Sequence, residues 1–297
     1  MTTSQTAITL NGLDLSVYGL TEYKKLDPGT PAAVMFAIHG RLQDRTKMEA
    51  ISQVLCSLNG NKGGTLKPRH LIVVTFDHEN HGSRLKDKTL NYSWKKDSKR
   101  HNPNHAMDQW RMMQAAAQTV TGLMDVLESH LFDKPVVDIW GVLGFSMGAH
   151  SSYLVAANDP RISVHISLVG TGDFIGLLHA RLANGGFPSE YLPDDFCDRV
   201  LATYDGLADK LATKKVLMIN GGEDTMVPFD RNDGLVNAFL ASHDGSRGRD
   251  WDRIVVPGLG HAWCPEMFYL CSAWCKQWML DSDPDFSLVL PPSCFSP

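Results

Sequence analysis

Short apolar runs alternate along the chain with longer segments in which apolar residues recur every three or four positions. The short runs are rich in β-branched residues, which is typical of buried strands. They cover residues 33–38, 70–76, 135–143, 162–169, 215–220 and 252–257. Helical spacing is found over residues 45–58, 106–131, 149–157, 231–242 and 265–280. The alternation predicts an α/β fold with a doubly wound, mostly parallel sheet, preceded by a hairpin over residues 7–20 that turns at Asn11-Gly12.

One predicted strand runs directly into a helix through Gly144-Phe145-Ser146-Met147-Gly148, which fits the pattern G-x-S-x-G. In such a turn the serine adopts a strained conformation that exposes its hydroxyl, and the small residues on either side let strand and helix approach closely. The helix N-terminus and the Met147 backbone N–H then face any negative charge that develops beside Ser146. The sequence therefore predicts a nucleophilic serine at position 146.

Polar residues follow three other predicted strands at the point where each strand ends. Asp224 follows the strand at 215–220, His261 follows the last strand, and His39-Gly40-Arg41 follows the first strand of the alternating region. The carboxyl ends of parallel strands lie at one edge of a sheet, where functional groups collect. We therefore expect these side chains to surround Ser146.

With this order of Ser, Asp and His, the sequence resembles the α/β-hydrolase superfamily over about residues 30–280. The segment Asp77-His78-Glu79-Asn80-His81-Gly82 is similar to the Asp-and-Gly turn after the family's fourth strand. The long polar stretch at 84–105 departs from the pattern. The resemblance implies a serine hydrolase that cleaves a carboxylic ester or thioester of a small organic molecule.

The resemblance also implies a role for each site residue. Ser146 would be the nucleophile, His261 the general base and then the general acid, and Asp224 the group that fixes the imidazole tautomer. Asp173 is the alternative acid, because it follows the strand after the elbow helix. The backbone N–H groups of Met147 and Arg41 would form the oxyanion hole. The expected substrate-binding residues are His39, Gly40, Phe174, Leu178, Phe187 and Trp263.

Two long connections bear on the shape of the pocket. Residues 170–213 join two strands and contain too many apolar residues for a solvated loop, so we predict a small helical cap there. Residues 84–105 are polar and basic, with aromatic residues at Tyr92 and Trp94. They form either a solvated surface loop or an ordered rim of the cleft.

Composition limits the remaining possibilities. The 297 residues suffice for a single domain over 1–297, and the net charge of −5 gives no general affinity for nucleic acid. Six cysteines without a C-x-x-C pair favour reduced thiols. Neither Cys264, Cys271 and Cys275 nor the histidines at 78, 81, 101 and 105 have the spacing of a metal site. No metal and no cofactor is implied.

The first six residues lack a basic region followed by an apolar core, and no apolar run is long enough to span a membrane. We therefore expect a cytoplasmic enzyme with a small-molecule substrate. Two alternatives stay open. The same residues could perform lyase, cyclase or acyl-transfer chemistry, since fold does not fix function. The protein could also be a ligand-binding pseudoenzyme or receptor.

Overall fold

The computed structural model describes residues 3–60, 69–242, 247–281, 288–291 and 294. The prediction of one domain over 1–297 extends over residues outside these ranges, and Met1 and Thr2 of the N-terminal segment lie outside them as well.

In the described part of the chain, eight strands form one sheet in the order β1-β2-β4-β3-β5-β6-β7-β8. They are β1 (Gln5–Leu10), β2 (Leu13–Tyr18), β3 (Ala32–Ile38), β4 (His70–Phe76), β5 (Val137–Phe145), β6 (Ile162–Leu168), β7 (Lys215–Gly221) and β8 (Trp251–Val256). The pairs β1–β2 and β2–β4 are antiparallel, and all the others are parallel. The predicted mostly parallel sheet is confirmed.

The first two strands form the predicted hairpin. Asn11 and Gly12 connect them with φ angles of 53° and 76°. Positive φ at both central residues is the requirement of the tight turn whose twist matches that of the flanking strands, and Asn-Gly is the sequence that best meets it.

Nine α-helices connect the strands or lie beside them in the described ranges. They are α1 (Leu20–Tyr23), α2 (Glu49–Cys56), α3 (His105–Leu131), α4 (Met147–Asn158), α5 (Phe174–Gly185), α6 (Asp194–Tyr204), α7 (Leu207–Leu211), α8 (Asp233–Ser242) and α9 (Pro265–Cys275). A 3₁₀ turn leads into α2 and another into α8, and α9 continues as a π-helical turn over Lys276–Leu280. None of the helices in the described part of the chain combines the length and apolar character needed to cross a bilayer.

Helices cover both faces of the sheet, which explains why its strands are apolar on both sides. Along β3, Phe36 and Ile38 pack into the cluster that contains α3, α4 and α8, whereas Met35 and Ala37 pack into the cluster with α2 and α9. Strands buried on both faces are expected to be continuous apolar runs. The parallel strands meet this description.

The segment 170–213 has its own small core. The buried residues of α5 and α6 pack on the N-terminal halves of α3 and α4. The cluster comprises Trp94, Ala106, Trp110, Met113, Met147, Leu154, Phe174, Ile175, Leu178, Leu192, Phe196, Cys197 and Val200. The segment is thus helical, as predicted, and it is fixed beside the end of β5 where α4 begins.

Candidate active site

Ser146 lies in the sharp turn between β5 and α4, with φ 55° and ψ −117°. A non-glycine residue at positive φ is strained and is held there by its surroundings. The two glycines of the motif make the turn possible. A Cβ on Gly144 would collide with the Gly148 backbone, and a Cβ on Gly148 would collide with the Ile38 carbonyl. The motif therefore packs the helix start directly against the end of β3.

Ser146, His261 and Asp224 form one hydrogen-bonded chain. His261 Nε2 lies 2.8 Å from Ser146 Oγ, and His261 Nδ1 lies 2.7 Å from Asp224 Oδ2. An ionised carboxylate only accepts hydrogen bonds, so Nδ1 donates to Asp224 and Nε2 is left to accept from the serine hydroxyl. The three residues come from three different connections, which follow β5, β7 and β8.

Asp224 is fixed by the backbone of its own loop. Its Oδ1 accepts hydrogen bonds from the backbone N–H groups of Met226 and Val227, at 2.8 and 2.9 Å. The side chain is buried behind His261. Both carboxylate oxygens are therefore occupied, and Oδ2 is directed at the imidazole.

Asp173, the alternative acid, has a different role. It is exposed at the start of α5, where its Oδ1 accepts a hydrogen bond from the Gly176 backbone N–H at 2.9 Å. Its other oxygen lies 3.6 Å from Arg231. Asp173 thus caps a helix, and the partner of His261 is Asp224.

His39 supports the loop after β3 from inside the protein. It is fully buried, its Nδ1 donates to the Gly40 carbonyl at 2.8 Å, and its Nε2 accepts from the His78 backbone N–H at 3.1 Å. Burial lowers the pKa of His39 to about 4. The imidazole is therefore neutral at physiological pH and acts as a structural group.

Two backbone donors at the elbow, one in the loop after β3 and one at the start of α4, have no partner among the described residues. The Gly40 N–H is taken by Gln43 Oε1 at 3.1 Å. In contrast, no described group accepts a hydrogen bond from the backbone N–H of Arg41 or of Met147. Gly40 packs against Phe145, and the neighbouring Ile38 and His39 carbonyls pack against Gly148, so the loop lies against the elbow. This arrangement suits an oxyanion hole, which remains a prediction.

Ser146 and His261 open into a cavity of about 700 Å³. Pockets of this size accommodate small organic molecules. Four of the residues that the sequence assigned to the oxyanion hole or to substrate binding line this cavity, namely Gly40, Arg41, Phe187 and Trp263. Trp263 stacks on Phe145 with ring centroids 4.6 Å apart, which gives the cavity a rigid aromatic wall beside the serine.

The other predicted substrate-binding residues, His39, Phe174 and Leu178, do not belong to the described cavity wall, and each is fully buried. Phe174 stacks on Trp110 in the core of the helical segment, with ring centroids 6.0 Å apart. Leu178 lies in the same cluster. Phe174 and Leu178 lie outside the cavity wall because they pack with α3 in this core, so a direct contact with substrate stays a prediction.

The cavity wall includes several residues that were not predicted from the sequence. They are Leu42, Gln43, Ser93, Trp94, His105, Gln109, Phe145, His150, Arg181, Asn184, Gly185, Thr225, Met226 and Ala262. A signal for Arg181 was present in the sequence. Phe174, Leu178 and Arg181 are spaced i, i+4 and i+7, so the arginine shares the apolar face of α5.

The stretch 84–105 is ordered in part and forms a wall of the cavity. Buried Asn80 fixes its first part, since the Asn80 amide donates to the Asp87 carbonyl at 2.6 Å and to Asn91 Oδ1 at 2.9 Å. Trp94 is buried, and its indole donates to the Pro103 carbonyl at 3.1 Å. Of the two interpretations, the ordered rim is the one that the structure supports.

No group of three or more His, Cys, Asp or Glu side chains in the described ranges is arranged to hold a metal ion. All six cysteines have free thiols. Cys271 and Cys275 are fully buried against the sheet, where burial raises the pKa of both thiols.

The sequence matches no protein-family model and no curated protein. Solved structures do resemble it. The TT1662 protein of Thermus thermophilus has a TM-score of 0.66 at 19% identity, over 94% of this chain and 98% of that one. A cold-adapted esterase from an Arctic intertidal metagenomic library has a TM-score of 0.55 at 17% identity, over 93% of both chains. An acylaminoacyl peptidase of Pyrococcus horikoshii has a TM-score of 0.60 at 13% identity, over 97% of this chain and 43% of that one.

Proposed function

Starting from the α/β-hydrolase fold, which this chain has, we propose that the protein is a serine hydrolase that cleaves a carboxylic ester or thioester of a small molecule. The observation that carries the proposal is the hydrogen-bonded chain from Ser146 Oγ through His261 to Asp224, with distances of 2.8 and 2.7 Å. Ser146, at one end of this hydrogen-bonded chain, lines a cavity and is held in a strained turn. Two of the similar structures are an esterase and a peptidase, which agrees with acyl chemistry.

In the proposed mechanism, Ser146 Oγ attacks the carbonyl carbon while His261 Nε2 takes the hydroxyl proton. Asp224 holds the Nδ1–H and stabilises the imidazolium that forms. His261 then gives the proton to the leaving alkoxide or thiolate, and an acyl-serine remains. Water attacks the acyl-serine with the same proton transfers in the opposite direction, which releases a carboxylic acid and restores Ser146.

The negative oxygen of each tetrahedral intermediate would be stabilised by the backbone N–H groups of Arg41 and Met147. Neither donates to another described group, and both lie in segments that pack together at the elbow. Losing one donor of this kind typically costs about 10²–10³ in kcat. Trp263 and Phe187 would form apolar surface around the substrate.

The test is covalent labelling with a fluorophosphonate, which reacts with an activated serine. We expect one label, at Ser146, and none in Ser146→Ala. Ser129→Ala is the matched control, because Ser129 is exposed on α3 and lies outside the motif. Labelling of another serine in wild type, or labelling that persists in Ser146→Ala, would contradict the proposal.

A second measurement separates hydrolysis from lyase, cyclase or acyl-transfer chemistry. Turnover of a 4-nitrophenyl ester in H₂¹⁸O should place one ¹⁸O atom in the acid product, because water cleaves the acyl-serine. Loss of more than about 10⁴-fold in kcat is expected for Ser146→Ala, by comparison with triad variants of serine proteases. An acid product without ¹⁸O would exclude the hydrolytic second step.

A further inference from the structure

The cavity at Ser146 has an unbalanced set of charged residues. Two arginines, Arg41 and Arg181, line it, and no aspartate or glutamate occurs among its described lining residues. Arg41 comes from the loop after β3, whereas Arg181 comes from α5 in the helical segment 170–213. Two separate parts of the chain therefore bring positive charge to one cavity.

Neither guanidinium forms an ion pair with a described residue. Arg41 donates through Nη1 to the Asn91 carbonyl at 2.6 Å, and Arg181 donates through Nη2 to the Met226 carbonyl at 2.7 Å. Within the described ranges no carboxylate lies within 4.0 Å of either. Eight other arginines do have such a partner, at positions 45, 69, 111, 161, 199, 231, 247 and 253.

Both arginines are partly buried, which makes this absence significant. A cation removed from water loses hydration free energy, and a paired anion usually compensates for it. Burial lowers the pKa of Arg41, and it lowers the pKa of Arg181 to about 10, with the charge of Arg41 adding to the effect and that of Asp224 opposing it. Both side chains remain protonated at neutral pH. Asp224 itself is engaged by His261.

A third polar group on the same wall also lacks a partner. Gln109 lies one turn into α3, is 5% exposed and lines the cavity. Its amide oxygen accepts no hydrogen bond from any described residue. Buried polar atoms in native proteins are normally paired. Among the described residues, the wall formed by α3 and α5 thus contains a buried amide oxygen without a hydrogen-bond partner and a guanidinium without a carboxylate partner.

We propose that the substrate is an ester with a second, anionic group, a carboxylate or a phosphate, and that Arg41 and Arg181 bind this group through their free N–H donors. The inference rests on the proposed hydrolase function and adds the substrate class to it. Guanidinium groups bind carboxylates and phosphates with two parallel hydrogen bonds, and such charge-assisted bonds are about twice as strong as neutral ones.

The test compares two esters that differ only in this charge, namely 4-nitrophenyl hydrogen adipate and its terminal carboxamide. In wild type we expect kcat/KM for the anionic ester to exceed that for the amide by about tenfold or more. Arg181→Gln should reduce this ratio to near one, and Arg181→Lys should retain part of it. Because Arg181 also holds the Met226 carbonyl, either rate alone would be ambiguous, whereas the ratio would not change if the role were only structural.

The matched control is Arg199→Gln. Arg199 lies on α6, is exposed and pairs with Asp195 one helical turn away, so it is an arginine of the same helical segment outside the cavity. Its removal should leave the ratio unchanged. A ratio of one in wild type, or a ratio that survives Arg181→Gln, overturns the inference.

Binding to Ser146→Ala separates this inference from the proposed function, because it needs no turnover. Calorimetric titration should give a dissociation constant at least about tenfold lower for the anionic ester than for the amide, and the double variant with Arg181→Gln should lose the difference. Equal constants overturn the inference even if the wild type hydrolyses both esters. If the two dissociation constants differ as expected but the fluorophosphonate does not label Ser146 in wild type, the anion site is supported and the hydrolase proposal is contradicted. Competition by acetate or by inorganic phosphate then identifies which anion is preferred.

Discussion

The two sides of the cavity differ in how their polar groups are satisfied. On the strand-end side, Asp224 accepts three hydrogen bonds, and His261 uses both ring nitrogens. On the helical side, Arg181 and Gln109 keep donors or acceptors that no described residue fills. The side chains of Asp224 and His261 are thus satisfied without a ligand, whereas those of Arg181 and Gln109 are not satisfied by the described residues. We infer that Asp224 and His261 of the first side serve the chemistry, and that the second side, together with Arg41 of the loop after β3, serves recognition.

The largest effect that would test this division is on the strand-end side. Asp224→Asn should lower kcat by about 10⁴, since an amide can no longer fix the Nδ1–H tautomer of His261. Asp173→Asn is the matched control and should change kcat little, because Asp173 only caps α5. Steady-state kinetics of both variants on one activated ester measures the two effects on kcat. Damage from Asp173→Asn alone would show that the acid has been assigned to the wrong loop.

The next prediction compares two phenylalanines of the helical segment. Phe174 is fully buried, so Phe174→Ala should lower the free energy of unfolding by about 3–5 kcal/mol and leave the preferred acyl length unchanged. Phe187 lines the cavity, so Phe187→Ala should change the preferred acyl length several-fold with a smaller loss of stability. Urea unfolding and an ester series of rising acyl length measure both properties.

The reverse result, with the acyl preference changed by Phe174→Ala and not by Phe187→Ala, would mean that α5 turns a different face to the substrate. Ser146 should still be labelled by a fluorophosphonate in both variants, which confirms that any change concerns recognition alone.

These contrasts show which parts of the site could be predicted from the sequence. Ser146, Asp224 and His261 each come soon after an apolar strand, and parallel strands bring the residues at their carboxyl ends to one edge of the sheet. The prediction needed only the order of the elements. The structure places Phe174 and Leu178 in a core, which the sequence could not distinguish from a cavity wall, because apolar character predicts burial and does not say which of the two provides it.

The order within residues 84–105 could not be predicted for a different reason. It depends on hydrogen bonds between polar side chains far apart in sequence, such as Asn80 with Asn91, and these leave no hydrophobic period. Gln109 was missed in the same way, because a glutamine beside Trp110 on a long helix is indistinguishable from a surface residue.

A smaller effect concerns pH. Burial lowers the pKa of His39 to about 4 and the pKa of His165 to about 3. In the unfolded chain both histidines take up protons as the pH falls through about 6.5, whereas in the folded protein they are still neutral at that pH. Their contribution to stability is complete above that pH and is lost as the pH falls towards 4. In this window, each of the two histidines should lower the free energy of unfolding by about 1.4 kcal/mol for every unit by which the pH falls.

Urea unfolding at pH 7, 6 and 5 measures this slope. His165→Gln removes one group that takes up a proton on unfolding, so the slope of the unfolding free energy against pH should become shallower by about 1.4 kcal/mol per pH unit. His130→Gln should leave the slope unchanged, since His130 is exposed at the end of α3. A slope unaffected by His165→Gln would mean that His165 titrates in the folded protein.

The smallest predicted effect is on the loop after β3. Leu42 has a φ of 64° and is 59% exposed, so Leu42→Gly should relieve backbone strain and raise the free energy of unfolding by about 0.5–1 kcal/mol. The same change at Leu240, exposed within α8, should lower it by about 1 kcal/mol. Thermal unfolding of both variants shows whether each change raises or lowers the free energy of unfolding. A loss at Leu42 would show that its side chain, rather than the backbone, stabilises the loop.

The absence of acidic side chains from the described cavity wall has a consequence for the timing of the reaction cycle. Every ester hydrolysis leaves a new carboxylate where a neutral carbonyl had been. In a cavity whose charged residues are two arginines, the product is held more firmly than a neutral starting ester at that position. The departure of the acid, rather than bond cleavage, would then set the steady-state rate, and the enzyme would slow as its own product accumulates.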